Sequence, residues 1–137
     1  MNLFVLDACA LIAVLAMESG AVNIRNLFQR AMDHQAFLIM NKFNFLEVYY
    51  KIYKAYGKTE ADNLAGTMKQ MPIIINDTLR DELFKEAGRL KASYKISIAD
   101  SIAIAETIIS NGTLVTSDHH EIEPIEKNEK INVFWFR

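Results

Sequence analysis

The sequence is short of the residues that would mark it as anything but an ordinary folded domain. It has one cysteine, Cys9, so no internal disulfide can form and nothing suggests an oxidising compartment. Two prolines and five glycines in 137 residues leave no Pro/Gly-rich linker or low-complexity tract, and no internal repeat is visible. No run of about 18 apolar residues occurs, which excludes a membrane-spanning helix. Residues 3–17 are apolar apart from Asp7, but no Lys or Arg precedes Arg25. A secretory leader is therefore not expected, and the chain is assigned to the cytoplasm. An excess of either charge is also missing: 15 basic against 17 acidic side chains give a net charge of −2. That balance provides no global attraction for nucleic acid, so a polyanionic partner would need local basic groups or metal ions.

Apolar residues are what the chain does have. At 51% hydrophobic, it can bury a core without staples, and its length predicts a single domain spanning 1–137. Short, partly β-branched runs at 3–6, 36–40, 73–75, 113–116 and 131–136 predict five strands. Helical patterns lie between them at 8–17, 21–33, 43–56, 77–92 and 98–110, with Thr59 and Asp62 reading as a capping box for a further helix that ends near Pro72. The segment holding Glu121, Glu123 and Glu126 reads as a solvated acidic loop. Strands alternating with helices predict an α/β fold, a three-layer α/β/α sandwich on a mostly parallel five-stranded sheet.

Ligands of such sheets sit outside the carboxyl ends of the strands. Asp7 directly follows the first strand, and Asp118 follows the fourth with only Ser117 between. Both are expected at the same sheet edge, where two close carboxylates repel unless a cation neutralises them. Asp100 lies in a helix apolar on nearly every side. It reads either as the third-position acid of a capping box opened by Ser97, or as a buried carboxylate in need of a partner. Glu47 shares a narrow polar stripe with Lys51 and Lys54 and, taken alone, reads as an ordinary i,i+4 surface pair. Together these acids would make a hard, oxygen-only site suited to Mg²⁺ or Mn²⁺, at which a metal-activated water could attack a phosphodiester.

The run LFVLDACALIA (3–13) resembles the opening of PIN-domain ribonucleases, especially VapC-type toxins of toxin–antitoxin pairs. ASYKISIADSIAIA (92–105) is similar to the family's second signature, an acid opening an apolar helix, and LVTSD (114–118) to its third. Glu47, in NFLE (44–47), falls where the family carries a helical acid between the first two motifs. The resemblance covers essentially the whole chain. It implies a metal-dependent endoribonuclease with Asp7, Glu47, Asp100 and Asp118 around Mg²⁺ (or Mn²⁺), Asp7 and Asp100 being the direct ligands. It also implies an RNA substrate, a homodimer and a cognate antitoxin protein. Members usually carry Ser or Thr two residues after the first acid. Cys9 stands there in this chain, leaving Thr116 as a replacement hydroxyl.

Other residues read more plainly. Cys9 is expected as a small buried hydrophobe, and His119 and His120 as parts of a solvated turn. Tyr49, Tyr50, Tyr53 and Tyr56 are at helical spacing and suit core or dimer packing. Lys51, Lys54 and Lys58, like Arg89, Lys91 and Lys95, could track an RNA backbone or simply solvate a helix. An aspartyl-nucleophile phosphatase would need an acid at Cys9, and a phospho-receiver module a Lys after a late strand; both are missing. A non-catalytic α/β interaction domain and a stand-alone RNA-processing nuclease of the same family remain as alternatives.

Overall fold

A computed structural model of the chain describes residues 2–137. Five strands, β1 (Asn2–Leu6), β2 (Ala36–Asn41), β3 (Ile74–Asn76), β4 (Thr113–Thr116) and β5 (Asn132–Trp135), form one sheet in the order β3-β2-β1-β4-β5. Every pairing is parallel. The chain therefore lays β2 and β3 on one side of β1, then crosses over to lay β4 and β5 on the other. The strand order reverses between β1 and β4, and ligands of open parallel sheets sit in the crevice at such a reversal.

The helices are α1 (Ala8–Leu15), α2 (Ala21–Met32), α3 (Lys42–Tyr56), α4 (Lys58–Thr67), α5 (Asp81–Ser93), α6 (Ile98–Ser110) and α7 (His119–Glu129), with a 3₁₀ turn at Met68–Gln70. They form the two outer layers. Period-two alternation splits β4 and β5 between them. Phe4, Leu6, Ala36, Leu38, Met40, Val115 and Phe136 pack with α1, α2, α3 and α4. Leu114, Val133 and Trp135 pack with α5, α6 and α7 on the other face. The three-layer, all-parallel sandwich is the architecture expected from the sequence. No helix among the described residues is long and apolar enough to cross a membrane.

Four local expectations are corrected. The fourth helix starts at Lys58 behind Gly57, and Thr59 caps nothing. Asp62 is instead bonded by Lys58 and, at 2.7 Å, by the Tyr49 hydroxyl. The fifth helix starts at Asp81 rather than 77, because Asn76 Oδ1 accepts from the Thr78 amide (3.2 Å) and hydroxyl (2.9 Å), holding a turn first. The acidic segment after Asp118 is the helix α7, which buries Ile122 and Ile125 and carries Pro124 inside it. Of the two placements expected for the tyrosines, core or dimer packing, the core one fails for Tyr50, Tyr53 and Tyr56, which are exposed.

Candidate metal centre at the strand reversal

Asp7 leaves β1 and becomes the N-cap of α1, its Oδ1 accepting from the Ala10 amide at 3.0 Å. Its own amide donates to Val115 O at 3.3 Å, fixing it to the β1/β4 crevice. The side chain is buried, 6% exposed. Burial pushes its carboxyl above the ordinary carboxylate range. Hydrogen bonds from Cys9, Thr116 and Ala10 pull back, and the Glu47 charge pushes further up.

Asp100 sits in the first turn of α6. Helices of a parallel sandwich run back against the strands, so this N-terminus comes to the strands' carboxyl ends. Ser97 is the N-cap, its hydroxyl accepting from the Asp100 amide at 3.0 Å. The Asp100 carboxyl meets Glu121 in a hydrogen bond and lies in the fields of Asp7 and Glu47. Burial first, and then the Asp7 charge, push it up to about 7. Capping thus accounts for the backbone of Asp100, while its side chain belongs to an acidic cluster.

Asp118 follows β4 and N-caps α7, accepting from the Glu121 amide at 3.2 Å while its own amide donates to Thr116 Oγ1 at 3.2 Å. One carboxylate oxygen each from Asp100, Asp118 and Glu121 lie within 4.8 Å of one another. Glu47, on α3, has Lys51 at 4.0 Å, the surface pair expected from the sequence. Its charge nevertheless raises both Asp7 and Asp100, so it faces the same pocket.

The structure therefore brings Asp7, Glu47, Asp100 and Asp118 to one sheet edge. The three-carboxylate group consists of Asp100, Asp118 and Glu121, and the Asp7 charge acts on its Asp100 member. Glu121 is the member that sequence reading missed. Asp118-x-x-Glu121 has capping-box spacing and could have signalled both the helix and the acid. Only carboxylate oxygens make up the group, a hard donor set that fits Mg²⁺ or Mn²⁺. The mutual repulsion expressed in the raised Asp100 is what a divalent cation would relieve.

Cys9 is neither a nucleophile nor a plain hydrophobe. Burial and the Asp7 charge push its thiol up to about 12, so it stays protonated. It donates to both oxygens of Asp7.

A family model described as PIN domain matches residues 4–126. No curated protein matches the chain by sequence. Among solved structures, the chain is similar to VapBC2 from Rickettsia felis bound to a promoter DNA fragment (17% identity, 96% of this chain and 97% of that chain, TM-score 0.73). It is also similar to DNA-bound VapBC from Salmonella typhimurium (14% identity, 100% of both chains, TM-score 0.72). A third is Mycobacterium tuberculosis VapC20, a toxin cleaving the sarcin-ricin loop (12% identity, 81% of this chain and 86% of that chain, TM-score 0.57). At such identities the likeness establishes the fold.

Proposed function

The chain belongs to the PIN-domain family, and from that premise we propose that it is a divalent-metal-dependent endoribonuclease and the toxin of a toxin–antitoxin pair. The observation that carries the reading is the carboxylate group of Asp100, Asp118 and Glu121 beside the buried Asp7, at the reversal between β1 and β4. The similarity to VapBC complexes and to a toxin that cleaves the sarcin-ricin loop supports an RNA substrate and an antitoxin partner. A homodimer and a cytoplasmic site of action complete the reading.

Asp7 and Asp100 would hold Mg²⁺ or Mn²⁺ together with Asp118 and Glu121, and Glu47 would complete the pocket. When bound, the cation offsets the charge of the phosphodiester and lowers the pKa of an attacking water. The chain's own residues orient the carboxylates. Ala10 N–H and the Cys9 thiol fix the Asp7 carboxylate from two directions. The Asp118 carboxylate is held by the N-terminus of α7. Burial and the Asp7 charge push the metal-free Asp100 carboxyl up to about 7, so taking up the cation would release its proton and leave a carboxylate ligand.

The test is cleavage of a structured RNA pool by the wild type and by Asp7→Asn, with Mg²⁺, with Mn²⁺ and with EDTA. Metal-dependent cleavage lost in the variant is the expected result. Equal cleavage by both proteins, or none together with no metal-induced stabilisation, would return the chain to a non-catalytic interaction domain.

A further inference from the structure

Beside the acidic pocket, on its β5 side, three side chains meet that the reaction above does not use. His119, the first residue of α7, lays its ring on the Trp135 indole, with centroids 4.0 Å apart and planes 15° from parallel. Both ring nitrogens are held, Nδ1 by Glu123 at 2.9 Å and Nε2 by the main-chain oxygen of Arg137 at 2.8 Å. Nearly half of the His119 side chain, 47%, remains exposed. The ring is therefore fixed in orientation and open on the outside.

Arg137 is fixed as well. Its Nη2 donates to the Ser117 hydroxyl at 3.1 Å, and Nη1 to Ser19 O at 3.0 Å and to Glu18 at 3.3 Å. Ser117 is the residue between β4 and Asp118, so the guanidinium stands at the rim of the carboxylate group. The segment that carries it is pinned. Phe136 is buried, its amide donates to Thr116 O at 3.3 Å, and its carbonyl accepts from Asn23 Nδ2 at 3.0 Å. Gly20, at φ +85°, lets this carbonyl approach where any Cβ would collide with it. A guanidinium has five N–H donors, and the described contacts use three of them.

A fixed flat ring pair and a fixed cation with spare donors, adjoining an acidic pocket, match one ligand chemistry. Unpaired nucleobases stack on aromatic faces, and phosphates take guanidinium donors. With a net charge of −2 and a carboxylate-rich pocket, the chain needs a local cation to admit a polyanion. We propose that His119, Trp135 and Arg137 form a subsite for the single-stranded nucleotide flanking the scissile phosphodiester, its base on the His119–Trp135 pair and its phosphate on Arg137. The proposal rests on the ribonuclease reading of the acidic pocket.

Trp135 is the chain's only tryptophan, so tryptophan emission, excited selectively over tyrosine, reports on this spot alone. Titrating the wild type in EDTA with a short unstructured oligoribonucleotide should quench that emission saturably, with a midpoint that weakens as salt rises. Arg137→Gln and His119→Ala should each weaken the midpoint by about fivefold or more, the lower end of one base–aromatic stack, and Arg137→Lys should recover part of the loss. In Mn²⁺ assays Arg137→Gln should raise KM and leave kcat nearly unchanged. The subsite is overturned if labelled RNA saturates the protein with no change in emission, or if neither variant moves the midpoint. Metal-dependent cleavage by the same preparation would then leave the ribonuclease reading standing. Absence of both RNA binding and cleavage would remove the two together.

Discussion

The Cys9 thiol donates to both carboxylate oxygens of Asp7, at 2.9 Å and 3.1 Å, and so serves the hydrogen-bonding role that a Ser or Thr hydroxyl would serve there. Asp7 is buried, and losing a weak S–H donor costs its carboxyl on the order of 1 kcal/mol of support. Cys9→Ala should therefore destabilise the fold by about that amount in denaturant unfolding, whereas Cys9→Ser, which keeps a donor, should cost far less. Because the thiol is pushed up to about 12, iodoacetamide at neutral pH should label the folded protein far more slowly than the unfolded chain.

Burial first, and then the neighbouring acidic charges, penalise the ionised Asp100 carboxylate, and removal of its charge should relieve both. Its folded-state carboxyl is pushed up to about 7 from 3.8, so the native state binds this proton more tightly than the unfolded chain does. The penalty is complete above pH 7 and fades as pH falls from 7 toward 4. In EDTA, Asp100→Asn should stabilise the protein at pH 8, by on the order of 1 kcal/mol once partial solvation is discounted. The gain should shrink steadily toward pH 5. Thermal unfolding at the two pH values checks this, and a variant less stable at pH 8 would mark the acid as structural.

Metal should reverse that order. Mn²⁺ at a hundred times its Kd should stabilise the wild type by about 2.7 kcal/mol. Glu121→Gln, which keeps the side chain's size but removes a charge from the three-carboxylate group, should reduce Mn²⁺ affinity by about tenfold or more. Calorimetric titration of both proteins measures it. Unchanged affinity would place Glu121 outside the metal site and restrict the ligands to those expected from the sequence.

A separate ion cluster ties α7 to α5. Glu129 accepts from Arg89 at 2.7 Å and from the Tyr94 hydroxyl at 2.6 Å, and these bonds hold its carboxyl below its ordinary 4.5. The contribution is complete above about pH 4.5 and is lost as pH falls through the lowered folded-state value. Glu129→Gln should cost under about 1 kcal/mol at neutral pH, since Arg89 is substantially exposed. Hydrogen exchange along α7 should quicken in this variant and, for the wild type, in acid. Equal exchange rates at pH 6 in the variant and the wild type would show that the cluster does not hold the helix.

The sequence was most legible where apolar periodicity and chain punctuation agreed. Continuous apolar runs marked the strands, and an acid directly after a strand marked the site, which is why Asp7 and Asp118 could be assigned to one edge. Glu121 was hidden because three Glu residues made α7 look like loop. Its burial of Ile122 and Ile125 overrides that polarity. Glu47 could not be distinguished from a surface acid, since it keeps its Lys51 neighbour and joins the pocket only through the α3–α6 packing. Glu106 was likewise lost within an apolar helix, although it is buried and accepts from Asn41 at 3.0 Å and from Asn76, joining α6 to the ends of β2 and β3. Such long-range partners have no local sequence signal.

The reversal of strand order has a consequence during synthesis. A nascent chain that stops short of Thr113 holds β1, β2 and β3, which pair with one another, and already contains Asp7, Glu47 and Asp100. It lacks the strand that borders β1 on the other side, and with it Asp118 and Glu121. The three-carboxylate group is therefore assembled only once the residues beyond Thr113 have left the ribosome, and a copy terminated before them carries one of its three members.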